Sequence, residues 1–445
     1  MNPQRGSFCP KAIAVALSLA FLLINRSPAQ QPKIDSINAD RVQVMLHVGY
    51  EEVRKNYYDK NLHGLDWDSQ FHQYDEKMKK INSLGQGFAL VAGMLMSLND
   101  SHTFFIPPSR PVRIEYGFHI QMIGDRAFIT QVRPGTDAAS KLHPGDEVVT
   151  YNRYAVTRDS LWQMNYYYNR LSPLPESQLQ VKDPAAQQRD VKVDAKVQQL
   201  KRVMDLTEGN DIWQMIRESE NADHQIRQRY IETGDVMFWK MPEFDLNDNE
   251  VDRLFGIAHK HKALVLDLRQ NPGGAVVTLE RMLGNVFDHD IKIADRIGRK
   301  DLKPQLAKTR GKNAYDGKII VLVDSGSASA AELFARVIQL EKRGTVIGDR
   351  SSGSVMESRH YSESQGAETK IFYSFSITDA DLIMKDGKSL EHSGVTPDEI
   401  VLPTGRDLAD SKDPALARAA ELAGIQIDPA QAGKMFPYEW LTMPN

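Results

Sequence analysis

The chain has 445 residues, of which 41% are hydrophobic and 26% are charged, and its 55 basic residues nearly balance 59 acidic ones. This composition predicts a globular protein of two or three domains and excludes collagen-like, low-complexity and largely disordered chains. The formal net charge of −4 gives no general electrostatic basis for binding nucleic acid or an anionic membrane. The single cysteine excludes an internal disulfide and a four-cysteine zinc site.

Residues 1–29 have the features of a secretory signal peptide. Basic residues precede an apolar run over residues 12–24, which is short for a membrane span, and the segment 27–29 (SPA) has small residues where a signal peptidase requires them. Cleavage there would remove Cys9, the only cysteine. An uncleaved anchor is the alternative. Since no later segment approaches twenty apolar residues, we expect an exported protein with no integral membrane segment after cleavage.

Residues 30–111 are predicted to form a helical N-terminal region. Apolar and aromatic residues recur at helical spacing from Val42 to Val53, and a second apolar run covers residues 88–98. A turn-forming segment, Asn-Asp-Ser-His-Thr at 99–103, ends this run, and the prolines that follow mark a boundary.

Residues 112–197 are predicted to be β-rich. The motif YGFHI precedes a strand-like segment at 127–132, and PGTDAASKLHPGDEVVTYN follows at 134–152. This stretch resembles a bacterial PDZ domain, with YGFHI in the place of the loop that binds a peptide carboxylate. PDZ domains usually have a second glycine where His119 stands, and a β-rich domain that binds no peptide is the alternative. The resemblance implies that the peptide-binding residues are Gly117, Phe118, His119 and Ile120.

Residues 198–405 are predicted to form an α/β core, followed by a helical tail at 406–445. Apolar runs at 263–266, 319–323 and 345–347 are typical of buried parallel strands, and helical segments follow the first two. This alternation predicts a sheet with helices on both faces. Polar loops at the C-terminal ends of such strands are where sites are built.

Two of these loops have residues suited to chemistry. In DLRQNPGG, at 267–274, paired glycines free the backbone to point N–H groups at a ligand. In DSGSASAAEL, at 324–333, a serine enters a helix at its positive end, although most serines at such junctions are N-caps. Asp267 and Arg269 are predicted to form a structural ion pair at the strand end.

The two loops, together with DSHT at 100–103, GDRSSGS at 348–354 and GVTPD at 394–398, resemble the C-terminal processing serine peptidases and the tricorn-type core peptidases. The resemblance implies a crotonase-like core, protein or peptide substrates, a periplasmic location and no cofactor. It also implies that Ser329 is the nucleophile, and that the oxyanion hole consists of the Ala330 amide with that of Gly273 or Gly274.

The general base is the point at which the sequence departs from the lysine-dependent enzymes. Ser354 stands where they have lysine, and a hydroxyl cannot accept the proton of another hydroxyl at neutral pH. The tricorn-type resemblance implies His102 as base, completed by Ser101 and Glu391. We therefore expect His102 Nε2 within hydrogen-bond reach of Ser329 Oγ, allowing for the loose geometry of an enzyme without substrate. The alternatives are His360 as base, or no working base.

Two rival functions follow from the missing lysine and the PDZ-like segment. One is a binding protein on a peptidase scaffold that has lost its base. The other is a PDZ adaptor whose core serves as a structural platform. The histidines lack the spacing of metal ligands, and the glycine loops lack a nucleotide-binding motif. The sequence does not predict the oligomeric state.

Overall fold

A computed structural model describes residues 34–109, 112–199, 229–366 and 370–440. The predicted signal peptide lies outside these ranges. No helix in the described ranges is both long and apolar enough to cross a membrane.

Three helices form the N-terminal region that was predicted to be helical. A side chain just before each helix accepts a hydrogen bond from a backbone N–H of its first turn, which satisfies one of the free donors there. Their apolar faces pack together against two buried phenylalanines, Phe105 and Phe375. The helices are α1 (Ser36–Asn56), α2 (Trp67–Met78) and α3 (Leu84–Met96).

A β-rich domain follows, in the segment predicted to have short strands. Five strands form an antiparallel sheet in the order β3-β4-β5-β7-β8, so β3 lies at an edge, while β6 pairs with β5 and β2 with β9. The strands are β2 (Val112–Glu115), β3 (Phe118–Ile123), β4 (Arg126–Val132), β5 (Glu147–Tyr151), β6 (Tyr154–Ala155), β7 (Glu176–Lys182), β8 (Gln188–Asp194) and β9 (Lys196–Gln199); helix α4 (Arg158–Tyr166) packs on the sheet.

The core sheet has the order β10-β11-β12-β15-β16-β19, and all neighbouring pairs except β10-β11 are parallel. Side chains alternate across β12: Leu264 and Leu266 enter one apolar cluster, and Ala263 and Val265 enter another on the opposite face. The strands are β10 (Tyr230–Thr233), β11 (Val236–Lys240), β12 (Ala263–Asp267), β15 (Lys318–Val323), β16 (Thr345–Gly348) and β19 (Glu399–Ile400).

Helices cover both faces of this core sheet, as predicted. One face packs against α5 (Asp248–Ala258), α6 (Val276–Gly284) and α7 (Ala330–Leu340). The other packs against α9 (Pro414–Ala423) and α10 (Pro429–Met435), which follow the short α8 (Gly405–Ala409).

A second sheet, which the sequence did not predict, connects the N-terminal helices to the core. Its central strand, β18, pairs along one edge with β17 and along the other with β1 and then β13, while β14 extends β13. The strands are β1 (Phe104–Ile106), β13 (Ile291–Gly298), β14 (Gln305–Ala307), β17 (Met356–Gln365) and β18 (Ile371–Ile383).

The ion pair predicted at the end of β12 is present. The Arg269 guanidinium donates to both carboxylate oxygens of buried Asp267, at 2.9 and 2.7 Å, and also to both oxygens of Asp413. Lys240 Nζ lies 3.2 Å from the Asp267 carboxylate. Burial raises the pKa of Asp267, but Arg269 and Lys240 outweigh it and hold that pKa well below its usual range. The network joins the strand to the start of α9.

Candidate active site

Ser329 lies at the junction between the β15 loop and α7, at φ 53° and ψ −117°. A non-glycine residue adopts this conformation only at a cost of about 1–3 kcal/mol, and such residues concentrate at functional sites. Two acceptors hold the Ser329 N–H: the Ser354 carbonyl at 2.9 Å and Glu332 Oε2 at 3.1 Å. The nucleophile candidate is therefore held in its strained conformation by contacts from both sides.

The loop predicted to supply the oxyanion hole packs directly against Ser329. A Cβ placed on Gly273 would lie 2.6 Å from Ser329 Cβ and 3.0 Å from the Ala330 nitrogen, so only glycine permits this approach. The Gly273 N–H donates to Asn271 Oδ1 at 2.8 Å. Within the described ranges, the N–H groups of Gly274 and Ala330 have no hydrogen-bond acceptor, so these two amides are free to bind an oxyanion.

The predicted partners of His102 form one hydrogen-bonded series. Ser101 Oγ donates to Glu391 Oε2 at 2.9 Å and lies 2.8 Å from His102 Nδ1. Because the single hydroxyl proton of Ser101 is directed to the carboxylate, Nδ1 must carry a proton and donate it to Ser101 Oγ. His102 Nε2 is then the unprotonated nitrogen, which is the form that a general base requires.

A buried aspartate holds the turn that carries His102. The Asp100 carboxylate accepts hydrogen bonds of 2.8 Å from the N–H groups of His102 and Thr103 and from the Thr378 hydroxyl on β18. The prediction did not include Asp100, although an aspartate two residues before a turn position commonly bonds to the backbone in this way. Burial lowers the pKa of His102, and the Asp100 charge opposes this effect.

Residues 354 and 355 join the two halves of the site. The Ser354 carbonyl accepts the Ser329 N–H, and the next N–H, of Val355, donates to Glu391 Oε2 at 2.8 Å. In the described residues no hydrogen bond joins His102 to the Ser329 hydroxyl, so the direct contact that we expected from the sequence is not formed in this structure. His360 lies exposed on β17, where its charge lowers the His102 pKa.

Glu332 is a functional candidate that the sequence did not reveal. It is completely buried in the first turn of α7 and accepts hydrogen bonds from the Ser329 backbone and from the 351–354 loop. Burial raises the pKa of Glu332 to about 7, against the opposing effect of these donors. The available signal was its position three residues after Ser329, where a glutamate caps the preceding backbone N–H.

Comparison with known proteins identifies the family. Residues 235–401 match peptidase family S41, and residues 39–90 match the tricorn protease C1 domain. The chain is 23% identical to carboxyl-terminal-processing peptidase 3, chloroplastic, of Arabidopsis thaliana, over 77% of this chain and 67% of that protein. The chain is a serine peptidase whose residues 235–401 match family S41, and it is similar to the C-terminal processing peptidases.

Other relatives of this peptidase match to different extents. A carboxy-terminal-processing protease of Bartonella bacilliformis is 33% identical, over 32% of this chain and 31% of its own. The structure of mature CPAF has a TM-score of 0.63 at 15% identity, covering 84% of this chain and 95% of that one. The photosystem II D1 C-terminal processing protease has a TM-score of 0.51 at 17% identity, covering 89% and 100%. At these identities the two structures establish a shared fold.

Ser354 is the residue predicted to stand where the lysine-dependent enzymes have their lysine. Its carbonyl and N–H bond to Ser329 and Glu332, and its hydroxyl lies 3.0 Å from the Ser352 hydroxyl. Ser354 therefore supports the backbone of the site without supplying an amine. In the described part of the chain, no group of three or more His, Cys, Asp and Glu side chains is arranged to hold a metal ion.

The residues predicted to bind peptide lie at the start of the β-rich domain's edge strand. Gly117, at φ 75°, accepts a hydrogen bond at its carbonyl from the Arg133 N–H, and the His119 ring lies 3.0 Å from the Thr130 hydroxyl. Burial lowers the pKa of His119. Ile120 lies in the domain's apolar core, and the partly buried Phe118 packs against that core.

The far end of the same strand contacts the loop that leads to Ser329. Gln121 Nε2 donates to Asp324 Oδ2 at 2.7 Å, and the Ser325 hydroxyl donates to the Met122 carbonyl at 2.6 Å. The Gly124 N–H donates to Asp349. Edge strand β3 thus extends from the predicted carboxylate loop to the serine loop.

Proposed function

We propose that this peptidase cleaves polypeptides through an acyl-enzyme on Ser329, with His102 as general base and with Ser101 and Glu391 orienting the imidazole. The observation that carries the proposal is the series of hydrogen bonds from Glu391 through Ser101 to His102, because it leaves Nε2 unprotonated. His360 has no comparable partner series in the described residues, so His102 is the better base.

In the first step, Ser329 Oγ bonds to the scissile carbonyl carbon while its proton passes to His102 Nε2. The carbonyl oxygen becomes an oxyanion, which the free N–H groups of Ala330 and Gly274 stabilise. His102 then gives the proton to the leaving nitrogen as the C–N bond breaks, and an ester on Ser329 remains. Water, deprotonated by His102, hydrolyses this ester, and the proton returns to Ser329 Oγ. One water is consumed for each peptide bond broken.

The proposal includes substrate recognition by residues 112–197, acting as a PDZ-like domain. A substrate C-terminus would place its carboxylate at the YGFHI loop and add a strand to β3. Its upstream residues would then run towards Met122, where the domain contacts the serine loop. This arrangement supports recognition of C-terminal segments, and the predicted signal peptide supports export to the periplasm.

A fluorophosphonate probe and an unstructured protein substrate test the catalytic proposal. Wild type should label and cleave, while Ser329→Ala should do neither and His102→Ala should lose at least about a thousandfold in kcat. His360→Ala is the matched control and should retain activity. A folded wild type that neither labels nor cleaves would overturn the peptidase mechanism, whereas an active His102→Ala would overturn only the choice of base.

The recognition proposal is tested separately with paired substrates that differ only in a free or an amidated C-terminus. The free carboxylate should give the lower KM, because an amide removes the charge that the backbone N–H groups bind. Equal KM values would show that residues 112–197 do not capture the C-terminus. Export is tested by fractionating cells that express the full chain, and a cytoplasmic product of unchanged length would contradict it.

A further inference from the structure

The Glu332 side chain has an unusual setting for a carboxylate. It is completely buried, and it forms no ion pair with any residue of the described ranges. A buried carboxylate without a cation must be compensated by hydrogen-bond donors, or its burial costs several kcal/mol. Four such donors surround it, which indicates a function that requires this particular group.

The four donors come from two segments and divide evenly between the two carboxylate oxygens. Oε1 accepts from the Ser351 hydroxyl at 2.5 Å and from the Gly353 N–H at 2.8 Å. Oε2 accepts from the N–H groups of Ser354, at 3.0 Å, and Ser329, at 3.1 Å. One side chain therefore connects the nucleophile's own backbone to the loop that faces it.

This connection acts on the two groups that the proposed reaction needs. With its N–H held by Glu332 and the Ser354 carbonyl, Ser329 keeps its strained backbone, and the next N–H, of Ala330, stays free for the oxyanion. A shift of Ser329 would move its hydroxyl and the Ala330 amide together, and reacting groups displaced by about 1 Å cost about a hundredfold in rate.

We propose that Glu332 is a positioning residue, which holds Ser329 and the Ala330 amide in their reactive arrangement by binding the Ser329 N–H and the 351–354 loop with one carboxylate. This inference rests on the proposed role of Ser329 as nucleophile. It assigns Glu332 no contact with the substrate, so its effect should fall on the chemical step and leave substrate binding nearly unchanged.

The test compares Glu332→Gln with Glu341→Gln, a matched substitution at the other end of α7, where Glu341 pairs with Lys385. Glutamine replaces one of the two carboxylate oxygens by an NH2 group, which would then face two N–H or O–H donors. The loop and Ser329 therefore cannot both stay bound to this side chain. We expect kcat and the rate of fluorophosphonate labelling to fall about tenfold to hundredfold, with KM within twofold. Glu341→Gln should match wild type in kcat, in the rate of labelling and in KM.

A folded Glu332→Gln with wild-type kcat would overturn the inference while leaving the peptidase mechanism intact, since wild type is measured in the same assay. If wild type itself is inactive, the proposed function fails first. Should Glu332→Gln not fold, Ser351→Ala removes one Oε1 donor and keeps the carboxylate. It should lower kcat by about threefold to tenfold at constant KM, and an unchanged kcat would equally overturn the inference.

Discussion

Ser101 Oγ donates a 2.9 Å hydrogen bond to Glu391 Oε2 across 290 positions of the sequence. The bond settles which nitrogen of His102 carries its proton, because Ser101 has one proton to give and gives it to the carboxylate. A second bond, from the Ser101 N–H to Glu391 Oε1 at 2.8 Å, prevents the carboxylate from turning away.

Ser101→Ala should lower kcat by about tenfold to hundredfold with KM little changed. Without the hydroxyl, His102 Nδ1–H loses its acceptor, and the tautomer with a free Nε2 is no longer favoured. Steady-state kinetics on an unstructured protein substrate give both constants. Ser140→Ala, at an exposed site in the β-rich domain, serves as control. A kcat for Ser101→Ala equal to that of the control would contradict the proposed role of the hydrogen bonds from Glu391 through Ser101 to His102.

Gly273→Ala should reduce kcat by at least about a hundredfold. The added methyl would meet Ser329 Cβ at 2.6 Å and press against the Ala330 nitrogen, displacing the proposed nucleophile from the proposed oxyanion hole. Gly234→Ala is the matched control, because Gly234 also has a positive φ, of 56°, but has no atom within 4 Å of the added Cβ. Both variants place alanine at a positive φ, but only Gly273→Ala should lose activity. Equal losses in the two variants would contradict a clash with Ser329 as the cause.

The acid side of the kcat/KM profile should contain two steps. As pH falls through about 7, Glu332 takes up a proton and can no longer accept all four hydrogen bonds. At a lower pH His102 protonates. Because burial depresses the pKa of His102 below its usual value, the proposed base stays neutral between the two steps. In Glu332→Gln the first step should be absent. A single step at the same pH in both proteins would contradict this assignment.

Arg269→Met should destabilise the fold by about 3 kcal/mol or more, since Lys240 would be the one cation left beside the buried Asp267 carboxylate in the described residues. The pKa of Asp267 is depressed, so the stability it contributes is present above the pKa of an unfolded aspartate and is lost as pH falls through the lower folded value. Urea unfolding at neutral and acidic pH measures both effects. Arg418→Met, which removes a partly exposed ion pair with Glu399 and another with Glu421, should change the unfolding free energy far less.

Local patterns predicted much of the core. The buried strands β12, β15 and β16 are short apolar runs, and the helix after Ser329 follows from its apolar spacing, so each could be identified from neighbouring residues alone. The pairing of β1 with β18 could not, because it joins two segments far apart in sequence and neither has a distinctive pattern. That pairing places residues 100–103 beside the core.

Details of the site were also less predictable, because they depend on contacts between segments that lie far apart in the sequence. The sequence indicated Gly273 and Gly274 equally, and only the bond from the Gly273 N–H to the Asn271 side chain distinguishes them. Glu332 resembles an ordinary helix cap in sequence, and its contacts with residues 351–354 depend on how the next loop folds back. The boundaries of the five predicted segments and the role of each site residue stay predictions.

The peptide group that joins Ser354 to Val355 serves both sides of the proposed reaction: its carbonyl accepts from the backbone of the proposed nucleophile, and its N–H donates to the carboxylate behind the proposed base. Their spacing is set by the covalent geometry of the chain, so neither contact can be adjusted independently. A displacement of this short segment would release nucleophile and base together. The site should therefore be cooperative, so that each molecule is either active or inactive. If this segment were displaced in part of the population, the fraction of active molecules would fall, and the rate of each active molecule would stay the same.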